Sequence, residues 1–135
     1  MFAKILVPVL FFLAQVIISW YGAFTGSLSS KGEYFGLKFD SSLLRSFVAQ
    51  FEYFWILIII NFLFTLGFSF GFGAYKSPVV IISLYILTWP LAVLTYNSIF
   101  AKEKLDLVLV AGLAIMAIGV WLVAAHSDIM KFLSK

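Results

Sequence analysis

Between residues 76 and 124 the chain carries two long apolar runs, Pro78 to Phe100 and Leu105 to Ala124, parted only by the charged step Lys102-Glu103-Lys104. Crossing ~30 Å of hydrocarbon takes roughly 20 apolar helical residues, and each run supplies about that. The pair reads as a membrane helical hairpin. Its second run is dotted with Ala111, Gly112, Ala114, Ala117 and Gly119, and small residues let two membrane helices approach closely. Gly112 and Gly119 are two heptad-related positions and share one helix face.

Composition points the same way. Of 135 residues 64% are hydrophobic and 11% charged, whereas soluble domains run at roughly 45–50% apolar and 25% charged. No water-soluble core absorbs that excess. The expected fold is an all-α membrane protein with four transmembrane helices and a short interfacial helix in the first loop. It forms a single four-helix membrane domain over residues 1–135, with spans at about 5–24, 53–75, 78–100 and 105–124 and a loop at 25–52. Four helices alone enclose little space, which points to self-association or a partner. The chain has no cysteine, which excludes disulfides, thiolate metal sites and thiol redox chemistry. A net charge of +3, small and scattered, gives no basis for nucleic-acid binding.

Taken in order, Lys4 precedes an apolar stretch from Ile5 to about Ala23. A short positive segment before such a stretch also describes a secretory signal; we read it as a retained first span. Gln15, Ser19, Gly22 and Gly26 fall at spacings of four, three and four, on one polar face. Polar side chains in lipid turn toward other helices or a wet cavity. Gln15 is therefore either an interhelical hydrogen bond or part of a substrate site. Residues Thr25 to Glu52 form the one extended polar segment, and Asp40 or Ser41 is placed to cap a short helix. Its Leu43, Leu44, Phe47, Val48 and Phe51 fall at helical spacing. Such a helix lies in the interface, as a lead-in to the second span or as a substrate gate.

The second span begins with Tyr53, Phe54 and Trp55, an aromatic anchor of the kind favoured at the headgroup level. Asn61, Thr65, Ser69 and Gly73 share one face, and Gly67 and Gly71 form a small-xxx-small pair. Such faces either line a path or pack helices. In the third span Pro78 sits near the first turn, where a missing N–H costs nothing. Pro90 lies mid-helix and is expected to kink it by freeing the carbonyl of Ile86, with Tyr85, Thr88 and Trp89 clustered at the kink.

All six acidic residues, Glu33, Asp40, Glu52, Glu103, Asp106 and Asp128, fall in loops or at span ends. A proton-coupled cation exporter needs an ionisable group at membrane depth; Gln15 cannot titrate. His126, at the end of the fourth run, reads as solvated and interfacial rather than as a proton relay. A phosphate-cradling glycine loop, a zinc-protease HExxH, a nucleophile elbow and a carboxylate cluster for a metal are all missing from the sequence. Catalysis is not expected, and neither is a cofactor.

The step FAKEKLDL followed by AGLAIMAIGVWLV resembles the third loop and fourth helix of the small multidrug resistance proteins, four-helix members of the drug/metabolite transporter superfamily. AYKSP is similar to that family's short connection into its third helix. Ala14-Gln15-Val16-Ile17 resembles a first-helix stretch in which the exporters have alanine, glutamate, valine and isoleucine. The resemblance implies dimerisation through the glycine pair Gly112 and Gly119, and a substrate-stacking aromatic at the place of Tyr85. The exporters' glycine-rich third-helix hinge is here Leu87-Thr88-Trp89, with Pro90 as a substitute. Glutamine for glutamate, with a longer first loop, looks more like the paired four-helix subunits that flip aminoarabinose-modified polyprenyl lipid.

The expected function is thus a small transport or flippase subunit in a prokaryotic plasma (inner) membrane, moving an amphiphilic, polyprenyl-lipid-linked molecule. Its partners would be membrane lipid and a second four-helix subunit, identical or similar. The substrate cavity is expected between the first three helices, lined by Gln15, Ser19, Asn61, Thr65, Tyr85, Thr88 and Trp89, with Gln15→Ala weakening binding but leaving folding nearly intact. The competing expectation is a non-transporting accessory subunit of a larger membrane enzyme complex. Orientation control is expected to be weak: Lys4, Lys76, Lys131 and Lys135 face one side, and Lys31, Lys38, Arg45, Lys102 and Lys104 the other.

Overall fold

The computed structural model describes residues 2–102, 106–126 and 129–130. Glu103 and Lys104 of the charged step, Leu105 at the start of the run after it, and Asp128, Lys131 and Lys135 near the C-terminus lie outside the described residues. Among the described residues five helices and one hairpin follow in order: α1 (Phe2–Ser27), β1 (Gly32–Tyr34), β2 (Leu37–Phe39), α2 (Ser42–Glu52), α3 (Phe54–Tyr75), α4 (Pro78–Tyr96) and α5 (Leu107–Ala124). A π-helical turn, Asn97–Ala101, continues α4.

Three of these segments, Phe2–Ser27, Phe54–Tyr75 and Pro78–Ala101, are long and apolar enough to cross a membrane. The chain is a multi-pass membrane protein. α5 is also apolar but shorter: at 1.5 Å per residue its 18 residues reach about 27 Å, just under the ~30 Å of a hydrocarbon core.

The first loop departs from expectation. Ahead of the short helix stands an antiparallel hairpin, with Gly32 opposite Phe39 and Tyr34 opposite Leu37. Its two-residue turn, Phe35-Gly36, has both residues in left-handed backbone, at φ 49° and 78°; this twist matches the flanking strands. α2 begins where a cap was expected, at Ser41, whose hydroxyl accepts the Leu44 N–H at 3.2 Å. Only Val48 and Ala49 of α2 are buried, while Leu43, Leu44, Phe47 and Phe51 face outward. The apolar stripe of α2 is thus turned away from the protein body, on a helix flanked by spanning segments.

Inside the bundle α1 packs against both α3 and α4, and α5 rests on α4. One core cluster joins Val7, Phe11 and Ile81, with Phe64, Phe68, Leu84 and Tyr85 against it. A second joins Tyr21, Ile56 and Ile60 nearer the hairpin end. Phe11 is enclosed by rings, edge-on to Phe68 at 4.9 Å and to Tyr85 at 5.6 Å. The close approach that admits it comes from Gly67, where a β-carbon would stand 2.6 Å from the Phe11 ring, and Gly71 receives Ile81 in the same way at 3.2 Å.

Pro78 occupies the first turn of α4 behind the Ser77 cap. The helix continues through Pro90, and its widening comes later, at the Asn97–Ala101 turn. A third proline has a consequence that its spacing explains. Pro8 has no N–H to give the carbonyl four residues back, that of Lys4, and the Tyr75 hydroxyl donates to this same oxygen at 2.7 Å. The gap in the α1 ladder is thus filled from α3. Tyr75→Phe is expected to cost about 1 kcal/mol, and much less in a Pro8→Ala background, where the helix supplies its own donor. A double-mutant cycle from denaturant titrations in detergent checks it; equal losses in both backgrounds would contradict the pairing.

Candidate functional site

Gln15 sits midway along α1, on the face turned to α3 and α4, and is 0% exposed. Its amide Nε2 donates to the backbone carbonyl of Tyr85 on α4 at 2.8 Å. The same carbonyl lies 3.0 Å from the Thr88 hydroxyl, which is equally close to the Leu84 carbonyl. One turn along α1, the Ser19 hydroxyl donates to the Gln15 carbonyl at 2.8 Å. Gln15 Oε1 is buried with no hydrogen-bond partner. A buried amide with one orphaned acceptor contributes less than a fully paired one.

Aromatic rings complete the surroundings. The Tyr85 ring stands edge-on to Phe11 and Phe64 at 5.6 and 5.5 Å and tilted to Phe68 at 6.0 Å. Carbonyl, amide and hydroxyl are therefore held against a wall of rings, with the polar atoms bonded across helices rather than facing open space.

Of the residues nominated from sequence, Gln15, Ser19, Tyr85 and Thr88 come together. Asn61 and Thr65 do not join them; both are exposed on the outer side of α3. The buried side of α3 is Ile56, Ile60, Gly67 and Gly71, whose centre lies about 130° around the helix from that of Asn61 and Thr65. Trp89 is 44% exposed and faces out from α4. Gly112 and Gly119 are also open, with nothing within 4 Å of a β-carbon at either.

Lys4, Pro8 and Tyr75 are brought together by the fold, and the only sequence signal for this group is a proline four residues after Lys4, which leaves the Lys4 carbonyl without its helical donor. At that end of the bundle an open cleft of about 510 Å³ is lined by Lys4, Tyr75, Ser77, Val79, Val80, Val123 and His126. At the opposite end Arg45 pairs with Glu52 at 2.9 Å, its guanidinium 5.4 Å from the Phe39 ring, tying α2 to the hairpin. Among the described residues no three of His, Cys, Asp and Glu gather as metal ligands would. The described carboxylates, Glu33, Asp40, Glu52 and Asp106, all lie outside α1, α3 and α4 except at their flanks.

Comparison of the chain with family models, with curated proteins and with solved structures returns no match.

Proposed function

We propose that this protein is a small subunit of a membrane transporter or flippase. It spans a prokaryotic plasma membrane four times and works as a homodimer or beside a similar four-helix subunit. Its cargo is amphiphilic and, by its likeness to the aminoarabinose-lipid subunits, polyprenyl-linked. It catalyses no covalent chemistry and uses no cofactor.

The observation that supports this reading is the contrast between the bundle's filled interior and its open fourth helix. α1, α3 and α4 close around Gln15 and Phe11, both 0% exposed. α5 instead leaves Gly112 and Gly119 bare, and bare glycines gain nothing from lipid but let another helix approach. A second subunit docked on α5 would complete a path between the two chains. The filled interior also favours a second reading, an accessory subunit that assembles a larger membrane enzyme; purification with a much larger partner and no activity alone would select it.

The mechanism expected under the leading reading is transport without obligatory proton exchange. The Gln15 amide donates and accepts hydrogen bonds but carries no charge, and no described carboxylate lies inside α1, α3 or α4. In proteoliposomes with an imposed pH gradient, movement of a fluorescent short-chain lipid is expected to proceed at the rate seen without the gradient. Uptake driven by the gradient would overturn this mechanism.

A further inference from the structure

The cleft beside Lys4 is built from four separate elements. α1 contributes Lys4, the end of α3 contributes Tyr75, the start of α4 contributes Ser77, Val79 and Val80, and the end of α5 contributes Val123 and His126. Beside it, sharing Val79, Val123 and His126 in its lining, lies an apolar groove of about 290 Å³ between α4 and α5 that adds Leu122. One continuous surface therefore runs from a basic mouth to a lipid-facing apolar trough.

The mouth is fixed in place. The Lys4 backbone is held by the Tyr75 hydroxyl at 2.7 Å, and the Lys4 ammonium lies 5.8 Å from the centre of the Tyr75 ring. Among the described residues the ionisable side chains at this end are Lys4, Lys76 and His126, with the tyrosine; the described carboxylates stand in the hairpin, on α2 and at the start of α5, at the other end. Asp128, Lys131 and Lys135 lie outside the described residues. A cation at headgroup level attracts anionic lipid, and a trough of valine and leucine next to it suits a hydrocarbon chain.

We propose that this cleft binds an anionic amphiphile of the phospholipid type, its phosphate at Lys4 and His126 and one chain along Val79, Leu122 and Val123. The site requires that the helices lie in a membrane but not that the chain transports, so its failure would leave the transport proposal as it stands.

The test uses the full chain reconstituted in phosphatidylcholine vesicles containing a minor share of phosphatidylglycerol, then extracted gently, with the retained lipids counted by native mass spectrometry. Phosphatidylglycerol is expected to be enriched over its share of the vesicle. Lys4→Gln should cut that enrichment about fivefold, the factor matching ~1 kcal/mol per basic group at a membrane surface. The Tyr75 hydrogen bond, which goes to the Lys4 backbone, is expected to survive this change, and unchanged helix content would verify the fold. Val123→Trp, which fills the groove, should lower retention of both lipids. Lys31→Gln, a charge removed at the opposite end, should leave enrichment unchanged. Equal losses from Lys4→Gln and Lys31→Gln, or no enrichment in the unmodified protein, would overturn the site. Displacement of the lipid by inorganic phosphate would equally overturn it, in favour of a free-anion site.

Discussion

Gly67→Leu is expected to open the contact between α1 and α3 and lower stability by about 3 kcal/mol, the upper end of what overpacking costs. A β-carbon at this position would stand 2.6 Å from Phe11 Cε1 and 2.8 Å from Cδ1. An exposed ring would swing away at little cost. Phe11 is 0% exposed and bounded by Phe64, Phe68 and Tyr85, so the helices must separate instead. Gly67→Ala should show a smaller loss, and Gly73→Leu, where nothing lies within 4 Å, almost none. Unfolding in mixed micelles with increasing denaturing detergent measures all three; equal stability of the Gly67 and Gly73 variants would show that α1 and α3 do not meet here.

The second large effect is expected at Gln15, and it differs from what the sequence suggests. A side chain lining a wet cavity is replaced by alanine with little effect on folding. Gln15 is instead fully buried and bonded across to α4. Gln15→Ala should therefore cost about 2–4 kcal/mol, from the void it leaves plus an interhelical hydrogen bond worth ~0.6–1.7 kcal/mol in membranes. Gln15→Met keeps the volume and should cost only the hydrogen bond, softened because it also removes an unpaired buried acceptor, Oε1. The ratio of the two losses is the informative quantity. Gln15→Ala as stable as the unmodified protein would return the residue to a solvated cavity.

Three spans were legible because hydrocarbon thickness sets helix length: the run expected at 53–75, for example, is α3 at Phe54–Tyr75, whereas the run expected at 105–124 forms the shorter apolar helix α5 at Leu107–Ala124. The cap of α2 was legible only as Asp40 or Ser41, both side-chain acceptors ahead of an apolar stripe, and Ser41 is the one that fills it. The hairpin was not. Phe35 in left-handed backbone at φ 49° has no sequence signature, since aromatic residues seldom adopt it, and Gly36 alone marks only a bend. The site was half legible. In a soluble helix the apolar face is the inner one, but in lipid both faces are apolar, so periodicity cannot choose between the Ile56-Ile60 side of α3 and the Asn61-Thr65 side. The choice was made by Phe11 fitting against Gly67, a match of shapes between distant stretches that spacing along one helix does not encode.

Assembly with a second membrane subunit through α5 is the part of the proposed function on which the rest depends. Native mass spectrometry of the protein extracted gently from its own membrane tests it most directly. A dimer, or a complex with one other membrane subunit, is expected, with loss of that species when Gly112 and Gly119 are both replaced by leucine while the fold persists. A folded monomer as the sole species, or an assembly unchanged by the double replacement, would contradict it.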